Sequence, residues 1–361
     1  MVRHAVFAAG STGSEQMLRT LKLRTAACCF SICCMIVPSG NVASAWQEQR
    51  SEARPFDGTL SVLTYNVKGL PWPLATGRPQ AFSAMAERLK DMRAEGRSPQ
   101  IVVLQEAFTD DAQNIGREAG YRYVAYGPGA EESAAELATA DDRLHLAGSS
   151  WLKGETGAKL LGSGLQILSD YPVLAVRSMA FPAFACAGFD CLANKGAVMV
   201  TLDVPGAPAP VDIVTTHLNC RRKSGVSVER SLYAYKRQVA RLSSFIAENH
   251  NPDFPLIVAG DFNVGKDQQR KQVLSHELRN GWHKDMPAAD ALRELAASGY
   301  DLPDDARRAM GKAKDWQFFM SGRKVMLSAK AVDVPFGTEN DGGMLSDHVG
   351  YTAVFRLRAV D

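Results

Sequence analysis

The stretch Pro255-Leu-Ile-Val-Ala-Gly-Asp-Phe-Asn263 decides the interpretation of this chain of 361 residues. Its apolar run is short, β-branched and bounded by proline and glycine, which predicts a buried strand over 256–259. Asp261 and Asn263 follow this strand. Since residues i and i+2 of an extended chain point to the same side, both side chains are expected to project together, where they could hold a metal-bound water and a phosphoryl oxygen. From this segment alone, an Asx-type turn at a strand end is an equally good interpretation.

Polar side chains also border the other predicted strands. Strands are predicted from alternating or continuous apolar runs over 60–65, 101–105, 211–217 and 351–357. The residues at their ends are Asn66, Glu106, His217 with Asn219, and Asp347 with His348. A strand end usually supplies small turn residues or lysine, so such a recurrence of metal-compatible and proton-transferring side chains is hard to obtain by chance. The pattern therefore indicates one polar site built from several strand ends.

The spacing of apolar residues predicts helices between the strands. Two long amphipathic helices are predicted over 81–95 and 229–248. Residues 127–162 are predicted to be an insertion with a short helix near 131–140, and residues 266–311 a second, mostly helical insertion. Strands in two batches with helices between them predict an α/β fold, in which two mostly antiparallel sheets pack face to face with helices outside. We expect one domain over residues 58–361.

The first 45 residues are predicted to be a cleaved secretory signal peptide, and translation could start at Met17. Basic residues precede an apolar run over 25–37, and Ala43-Ser-Ala45 has the small residues of a cleavage site. The run is too short for a permanent membrane helix, and an uncleaved anchor is the alternative. We expect a secreted protein, extracellular or periplasmic, in which residues 46–57 form a flexible lead-in.

The charge balance bears on nucleic-acid binding, and the cysteine content bears on disulfide formation. The signal segment carries four basic residues and one acidic residue, which leaves 37 basic and 38 acidic residues in the rest of the chain. Near-neutrality disfavours a dedicated nucleic-acid binder, although it permits a local basic patch. Cys186, Cys191 and Cys220 remain, and the first two could close a short loop in an oxidising compartment. Because three is odd, one thiol is left over or the pairing is different.

Several motifs carry a resemblance to a known family. In chain order they are Leu63-Thr-Tyr-Asn-Val-Lys68, Leu104-Gln-Glu106, Gly162-Ser-Gly-Leu-Gln-Ile-Leu-Ser169, Thr216-His-Leu-Asn219, Gly260-Asp-Phe-Asn263 and Ser346-Asp-His348. The sequence from residue 60 to residue 357 resembles the endonuclease/exonuclease/phosphatase superfamily of metal-dependent phosphoesterases. The resemblance implies a DNase I-like fold, a four-layer α/β/β/α sandwich.

The resemblance also implies which residues bind the metal and which move the proton. Glu106 is expected to bind Mg²⁺ or Mn²⁺, with Asn66 beside it as a direct or water-mediated ligand. His348 is expected to act as the general base for the attacking water. Asp347 is expected to support the metal or to orient the second histidine, and Asp261 to align the water.

The family resemblance also implies which residues contact the phosphoryl group and the rest of the substrate. Asn263 and His217 are expected to donate hydrogen bonds to the non-bridging phosphoryl oxygens. Asp190-Cys-Leu-Ala-Asn-Lys-Gly196 resembles the segment of neutral sphingomyelinases in which an Asp and a Lys control a loop at the site. Asp190, Lys195 and Asn219 are therefore assigned to substrate binding or loop control. A surface ion pair of Asp190 with Lys195 is the alternative.

These motifs predict a secreted Mg²⁺-dependent phosphodiesterase whose substrate is a membrane lipid headgroup of the phosphocholine type. The apolar segments 70–73 and 181–184 could touch a membrane, although ordinary packing is the commoner use of such residues. The first alternative is a nuclease, which would need a cationic groove supplied by Arg221, Arg222 and Lys223. A phosphomonoesterase and a non-catalytic binding protein are further alternatives. The sequence indicates no obligate protein partner.

Near the end of the chain, Asp315 is aligned with an Asp-Tyr-Ile-like segment of the family.

Overall fold

The computed structural model describes residues 56–280, 282 and 287–360. The predicted signal peptide and nearly all of the predicted lead-in lie outside these residues. In chain order the strands are β1 Thr59–Asn66, β2 Ile101–Gln105, β3 Tyr123–Tyr126, β4 Gln166–Ser169, β5 Val173–Ala180, β6 Gly196–Leu202, β7 Val211–His217, β8 Leu256–Asp261, β9 Ala289–Asp290, β10 Asp315–Met320, β11 Val325–Phe336 and β12 Gly350–Ala359. The helices are α1 Arg78–Ala94, α2 Asp110–Glu118, α3 Ala140–Ala147, α4 Val228–Asn249, α5 Gln268–Asn280, α6 Ala291–Ala297 and α7 Asp304–Lys312.

The strands form two sheets of six strands each. The first sheet has the order β11-β12-β1-β2-β4-β3, and the second has the order β5-β6-β7-β8-β10-β9. The pairs β1–β2 and β7–β8 are parallel, and every other pair is antiparallel. A parallel pair needs a crossover connection, and α1 and α4 supply one each. Each sheet is thus built on a central βαβ unit.

Successive side chains along each strand point alternately to the other sheet and to the outer helices, which produces the four layers. In β8, Ile257 and Ala259 face the other sheet, whereas Leu256 and Val258 face α4. In β1, Leu60 and Val62 enter the same intersheet core, and Leu63 and Tyr65 pack with α1 and α2. The α/β/β/α sandwich expected from the sequence is confirmed. Among the described helices, none combines the length and the apolar character that a membrane crossing requires.

The chain connectivity brings four strand ends together. In a parallel pair both strands end at the same edge, so β1 and β2 deliver Asn66 and Glu106 to one end of their sheet. In the same way, β7 and β8 deliver His217 and Asp261 in register. The strands β12 and β10 run antiparallel to β1 and β8 and begin at this end of the sandwich. Residues that are far apart in sequence therefore meet at one edge.

One detail of the insertion at 127–162 differs from the sequence prediction. The short helix predicted near 131–140 is wrong, since α3 begins only at Ala140. The cause is a capping box, in which the Thr139 hydroxyl accepts from the Asp142 backbone N–H and the Asp142 carboxylate accepts from that of Thr139. Strands β4 and β5 follow each other closely in sequence but belong to different sheets, so segment 170–172 connects the two sheets.

The loop between β5 and β6 is closed by a disulfide between Cys186 and Cys191, and Cys220 is a free cysteine. A disulfide stabilises a fold mainly by restricting the unfolded chain, and a loop of this size contributes on the order of 2 kcal/mol. We therefore expect Cys186→Ser to lower the melting temperature in scanning calorimetry. Cys220→Ser breaks no disulfide and is the matched control. Equal melting temperatures for both variants would contradict this assignment.

Candidate active site

The strand ends turn sharply where they reach the shared edge. Lys68, Glu106 and Asn263 all adopt left-handed backbone conformations, with φ of 53°, 58° and 48°. This region is uncommon for residues other than glycine, and such residues concentrate at functional sites. The Glu106 turn also needs Gly69, since a Cβ there would lie 2.1 Å from the Glu106 carbonyl oxygen. These turns carry the polar side chains out of the sheets and into one cleft.

The floor of the cleft holds two carboxylates tied together by one amide. The Nδ2 atom of Asn66 donates to Glu106 Oε1 at 2.9 Å and to Asp261 Oδ2 at 3.2 Å. Both carboxylates are buried, and burial raises the pKa of Asp261 above its usual range. The second carboxylate oxygen of Glu106, Oε2, is also buried and has no hydrogen-bond partner among the described residues. Such an oxygen is costly to bury without a partner.

These acidic groups fit a divalent cation. Oxygen and nitrogen atoms of Glu106, His217 and Asp261 lie within 4.8 Å of one another. Hard cations such as Mg²⁺ and Mn²⁺ prefer carboxylate oxygens, and a cation would supply the partner that Glu106 Oε2 lacks. The direct or water-mediated ligation expected of Asn66 stays a prediction, and the observed contacts give this residue a positioning role. Its Oδ1 accepts from the Lys68 backbone N–H, so its side chain orients the two carboxylates.

A second group is centred on His217. Its Nε2 lies 3.2 Å from Lys195 Nζ and 3.6 Å from Asp261 Oδ2. Burial, together with the positive charges of Lys195 and His348, holds the pKa of His217 well below its usual range. The ring is therefore neutral at physiological pH and accepts from the Lys195 ammonium. The expected role of His217 as a donor to the phosphoryl oxygens stays a prediction, and both His217 and Lys195 line the cleft.

Asp190, which is half-buried, pairs with the buried Lys195, so this is not the surface ion pair considered as the alternative. Lys195 Nζ lies 3.2 Å from Asp190 Oδ2 and donates to the Leu218 carbonyl at 3.0 Å. Asp190 also accepts from the Cys220 backbone N–H. The disulfide Cys186–Cys191 closes the loop that carries Asp190. The pair thus fixes this loop against the end of β7, next to the acidic floor.

A histidine and a carboxylate form the third group. His348 Nδ1 lies 2.8 and 2.9 Å from the two oxygens of Asp315, and its Nε2 lies 3.8 Å from Asp261 Oδ2. Burial by itself lowers the pKa of His348, but the charges of Asp315 and Asp261 outweigh burial and raise it to about 9. Asp315 begins β10 opposite Asp261 in register. The sequence aligns Asp315 with a family segment but assigns it no role at the site, and the structure places it against His348.

We expect Asp315→Asn to lower the pKa of His348 from about 9 toward its ordinary value. The reason is that the variant removes the negative charge that stabilises the imidazolium. Imidazole resonances followed by NMR in EDTA measure this pKa directly. Asp333→Asn, on an exposed position of β11, is the matched control and leaves the pKa unchanged. An unchanged pKa in Asp315→Asn would show that Asp315 does not set the charge of His348.

Asp261 and Asn263 satisfy both sequence interpretations at once. The Asn263 backbone N–H donates to Asp261 Oδ1 at 2.9 Å, which is an Asx-type turn. Both residues nevertheless line the cleft. The Asn263 side chain donates one N–H to the Leu218 carbonyl at 2.9 Å, and an amide has a second N–H for a ligand. The left-handed turn, instead of extended spacing, places the two side chains side by side.

Two assigned residues lie elsewhere than expected. Asp347 is exposed and pairs with Lys223 at 3.6 Å, so Asp315 and not Asp347 orients a site histidine. Asp347 precedes a buried position and its side chain therefore points outward. Asn219 is fully buried and does not line the cleft. It donates to the Ala187 carbonyl at 3.3 Å and accepts from Ser231, which is consistent with loop control and not with substrate contact.

The cleft has a volume of about 380 Å³, and one of its walls is apolar. The residues of this apolar wall are Leu70, Pro71, Leu74, Phe108, Leu160, Leu161, Phe189 and Leu192. Several of them are open to solvent, with Leu74 at 71% and Leu160 at 69% exposed. The wall combines the predicted membrane segment 70–73 with the end of the insertion. The other predicted segment, 181–184, is different, since Phe181 and Phe184 are buried in the core.

A second cavity of about 550 Å³ adjoins the cleft. The two cavities share Cys220, Lys223, Asn263 and Lys314. We call the second cavity the basic groove, because six cationic side chains and a single acidic one line it. The cationic residues are Arg221, Arg222, Lys223, Lys266, Lys312 and Lys314, and the acidic residue is Asp267. Sequence reasoning identified the first three cations, and the fold adds the others.

Comparison with known proteins agrees with this architecture. A model of the Endonuclease/Exonuclease/phosphatase family matches residues 63–283. A humanized TDP2 of D. rerio is 16% identical, with a TM-score of 0.52, and the alignment covers 83% of this chain and 99% of that one.

Two bacterial proteins have the same fold. Sphingomyelinase C from Streptomyces griseocarneus is 21% identical, with a TM-score of 0.51 and coverage of 82% and 99%. A beta toxin mutant from Staphylococcus aureus with bound magnesium ions is 16% identical, with a TM-score of 0.53 and coverage of 81% and 98%. No curated protein matches the chain. At these identities the structural likeness shows the fold.

Proposed function

Since the chain belongs to the Endonuclease/Exonuclease/phosphatase family, whose members are metal-dependent phosphoesterases, we propose that it is a secreted, Mg²⁺-dependent phosphodiesterase acting on a lipid. The observation that carries the proposal is the buried carboxylate pair of Glu106 and Asp261 beside the Asp315–His348 pair, at the floor of a cleft with an apolar wall. The two carboxylates supply a cation site, and His348 supplies a proton acceptor in the same cleft.

Glu106 and Asp261 would hold the cation, and Asn66 keeps their carboxylates in place. When bound, a divalent cation supplies positive charge that stabilises the phosphoryl oxygens as negative charge develops on them. Mn²⁺ is an alternative to Mg²⁺ for such oxygen ligands. The choice of Mg²⁺ is supported by the acidic donor set.

Residues of this chain accept the proton of the attacking water and bind the phosphoryl group. Asp315 holds His348 through Nδ1, which leaves Nε2 to accept the proton of the attacking water. A positive charge near Glu106 disfavours the imidazolium and lowers the pKa of His348 from about 9, so that more of the ring is neutral and able to accept a proton. Asp261, at 3.8 Å from Nε2, aligns the water. Asn263 faces the cleft and donates its second amide N–H to a non-bridging oxygen. Lys195 lines the same cleft and adds its positive charge, since its Nζ already contacts Leu218, His217 and Asp190.

The apolar wall supports a lipid diester as the substrate. Side chains of leucine and phenylalanine around the acidic floor offer a surface for the apolar part of a lipid while its phosphate reaches the carboxylates. Sphingomyelin is the lipid that the Asp190 to Gly196 resemblance favours. Secretion is proposed from the N-terminal sequence, and the Cys186–Cys191 disulfide supports it because such bonds persist in oxidising compartments.

A secreted nuclease is the second candidate, and the basic groove is the observation in its favour. Nucleic-acid binding depends on contacts from Lys and Arg to phosphates, and the groove places six cations beside the catalytic cleft. The near-neutral charge of the whole chain does not oppose a local patch of this kind.

Parallel assays separate the two functions. The purified protein is incubated with lipid vesicles that include sphingomyelin, and with supercoiled plasmid, each in Mg²⁺ with and without EDTA. We expect EDTA-sensitive release of water-soluble phosphate esters from the vesicles and intact plasmid. Nicked plasmid with unreacted vesicles would overturn the lipid proposal in favour of the nuclease.

A further inference from the structure

The basic groove is held in a fixed shape by the backbone around it. Arg270 is 1% exposed and donates to the carbonyls of Asn219 at 2.6 Å and Asn263 at 2.9 Å, so it links the two loops that form the groove. The Gly265 N–H donates to the Ala313 carbonyl and the Phe262 N–H to the Lys314 carbonyl, both at 2.8 Å. A buried guanidinium and these backbone bonds make the groove a preformed feature.

Much of the positive charge in the groove is not neutralised. Arg221 lies 3.5 Å from Asp267, and Lys223 lies 3.6 Å from Asp347. Arg222, Lys266 and Lys314 form no ion pair among the described residues. Clustered like charges repel one another unless an anion lies between them. The groove is therefore complementary to a strongly anionic group.

The groove and the apolar wall have no lining residue in common, although both adjoin the cleft that contains the acidic floor. Lys223, Asn263 and Lys314 border both cavities, so a ligand can extend from the floor into the groove without leaving the protein surface. A diester bound at the floor has two substituents, and the two surfaces differ in the substituent that they accept. One surface suits an apolar group, and the other suits an anionic group.

We propose that the basic groove binds a second phosphate, carried by the headgroup of an anionic lipid whose scissile diester lies at the acidic floor and whose apolar part contacts the apolar wall. This inference rests on the proposed lipid phosphodiesterase function and specifies its substrate class. It departs from sphingomyelin, the lipid that the sequence resemblance favours, because a phosphocholine headgroup would bring a positive charge toward the six cations. Nucleic acid fits less well, since six of the eight side chains of the apolar wall are leucine or proline, and Phe108 and Phe189 are its two aromatic surfaces on which a base could stack.

The proposal is tested first by binding without turnover. The purified protein in EDTA is sedimented with phosphatidylcholine vesicles that carry phosphatidylinositol phosphate, and with vesicles of phosphatidylcholine and sphingomyelin. We expect tighter binding to the phosphorylated headgroup, and weaker binding as salt is raised. The variant carrying Arg222→Glu and Lys266→Glu is expected to lose about tenfold in this affinity, given roughly 0.7 kcal/mol for each exposed charge.

Arg358→Glu is the matched control, because Arg358 is an exposed cation near the far end of β12, the strand that begins beside the site. We expect it to bind as the unmodified protein does. Equal binding to both vesicle types, or equal affinity of the charge-reversal variant and the control, would overturn the proposal. A single-stranded oligonucleotide that displaces the protein from vesicles and binds through Arg222 and Lys266 would assign the groove to nucleic acid instead.

Hydrolysis distinguishes failure of this inference from failure of the proposed function. In Mg²⁺, we expect the unmodified protein to cleave phosphatidylinositol phosphate faster than sphingomyelin, and the charge-reversal variant to lose that preference. EDTA-sensitive cleavage with sphingomyelin preferred would overturn the second-phosphate site and leave the lipid phosphodiesterase intact. No EDTA-sensitive cleavage of any diester would overturn the proposed function, and the binding result would then stand by itself.

Discussion

Glu106→Ala is expected to reduce Mg²⁺-dependent hydrolysis by at least about 10³-fold, because several kcal/mol of transition-state stabilisation depend on the cation. Glu106 supplies the buried Oε2 atom that lacks a partner among the described residues. The variant also leaves Asn66 with only Asp261 to orient. Initial rates over a range of Mg²⁺ concentrations, together with calorimetric Mg²⁺ binding, measure the effect.

Glu118→Ala is the matched control for this prediction, since Glu118 is an exposed carboxylate at the end of α2. It is expected to retain the rate and the Mg²⁺ affinity of the unmodified protein. If Glu106→Ala binds Mg²⁺ normally and turns over at the full rate, the cation is held elsewhere and the assignment of Glu106 fails.

His348→Ala is expected to lower kcat by roughly 10²- to 10⁴-fold, the usual contribution of a positioned general base, with a much smaller change in KM. His348 is held through Nδ1 by Asp315 and presents Nε2 toward Asp261. Removing the imidazole removes the proton acceptor, while the carboxylates that hold the cation remain. Steady-state kinetics on one diester substrate at fixed Mg²⁺ separates kcat from KM.

The control for His348→Ala is His276→Ala, which changes an exposed histidine on α5. A loss confined to KM, or a rate equal to that of the His276→Ala protein, would remove His348 from the base role. The free carboxylate of Asp261 would then be the remaining proton acceptor at the floor.

The general location of the site could be predicted from the sequence because of the fold's connectivity. The two strands of each central parallel pair end at the same edge of their sheet. Polar residues that follow these strands therefore lie close together. This is how Asn66, Glu106, His217 and Asp261 come together. The pattern gives the residues, but it does not give the hydrogen bonds among them.

The contacts that differ from prediction depend on side-chain detail. Asp347 and His348 are neighbours in sequence, yet one is exposed and the other is buried against Asp315. His217 faces Lys195, from the loop before β6, so its ring accepts a hydrogen bond from a neighbouring ammonium group. Which of two adjacent residues points inward, and which cation lies opposite a histidine, are set by tertiary packing.

The basic groove likewise could be predicted only in part from the sequence, because tertiary packing brings some of its charges together. Arg221, Arg222 and Lys223 are visible as a cluster in the sequence, whereas Lys266 and Lys314 come from segments that follow β8 and precede β10. These segments meet because β8 and β10 pair in register at Asp261 and Asp315. A chain with nearly balanced charge can therefore concentrate cations at one place.

The most direct test of the account is hydrolysis of bis(p-nitrophenyl) phosphate by the purified protein, stripped with EDTA and then titrated with MgCl₂. This small diester needs neither the apolar wall nor the basic groove, so it reports on the acidic floor and the Asp315–His348 pair. We predict no activity in EDTA and a saturable recovery with Mg²⁺ that Glu106→Ala abolishes. Activity that persists in EDTA, or a recovery that Glu106→Ala shares, would contradict the assignment of the acidic floor as the cation site.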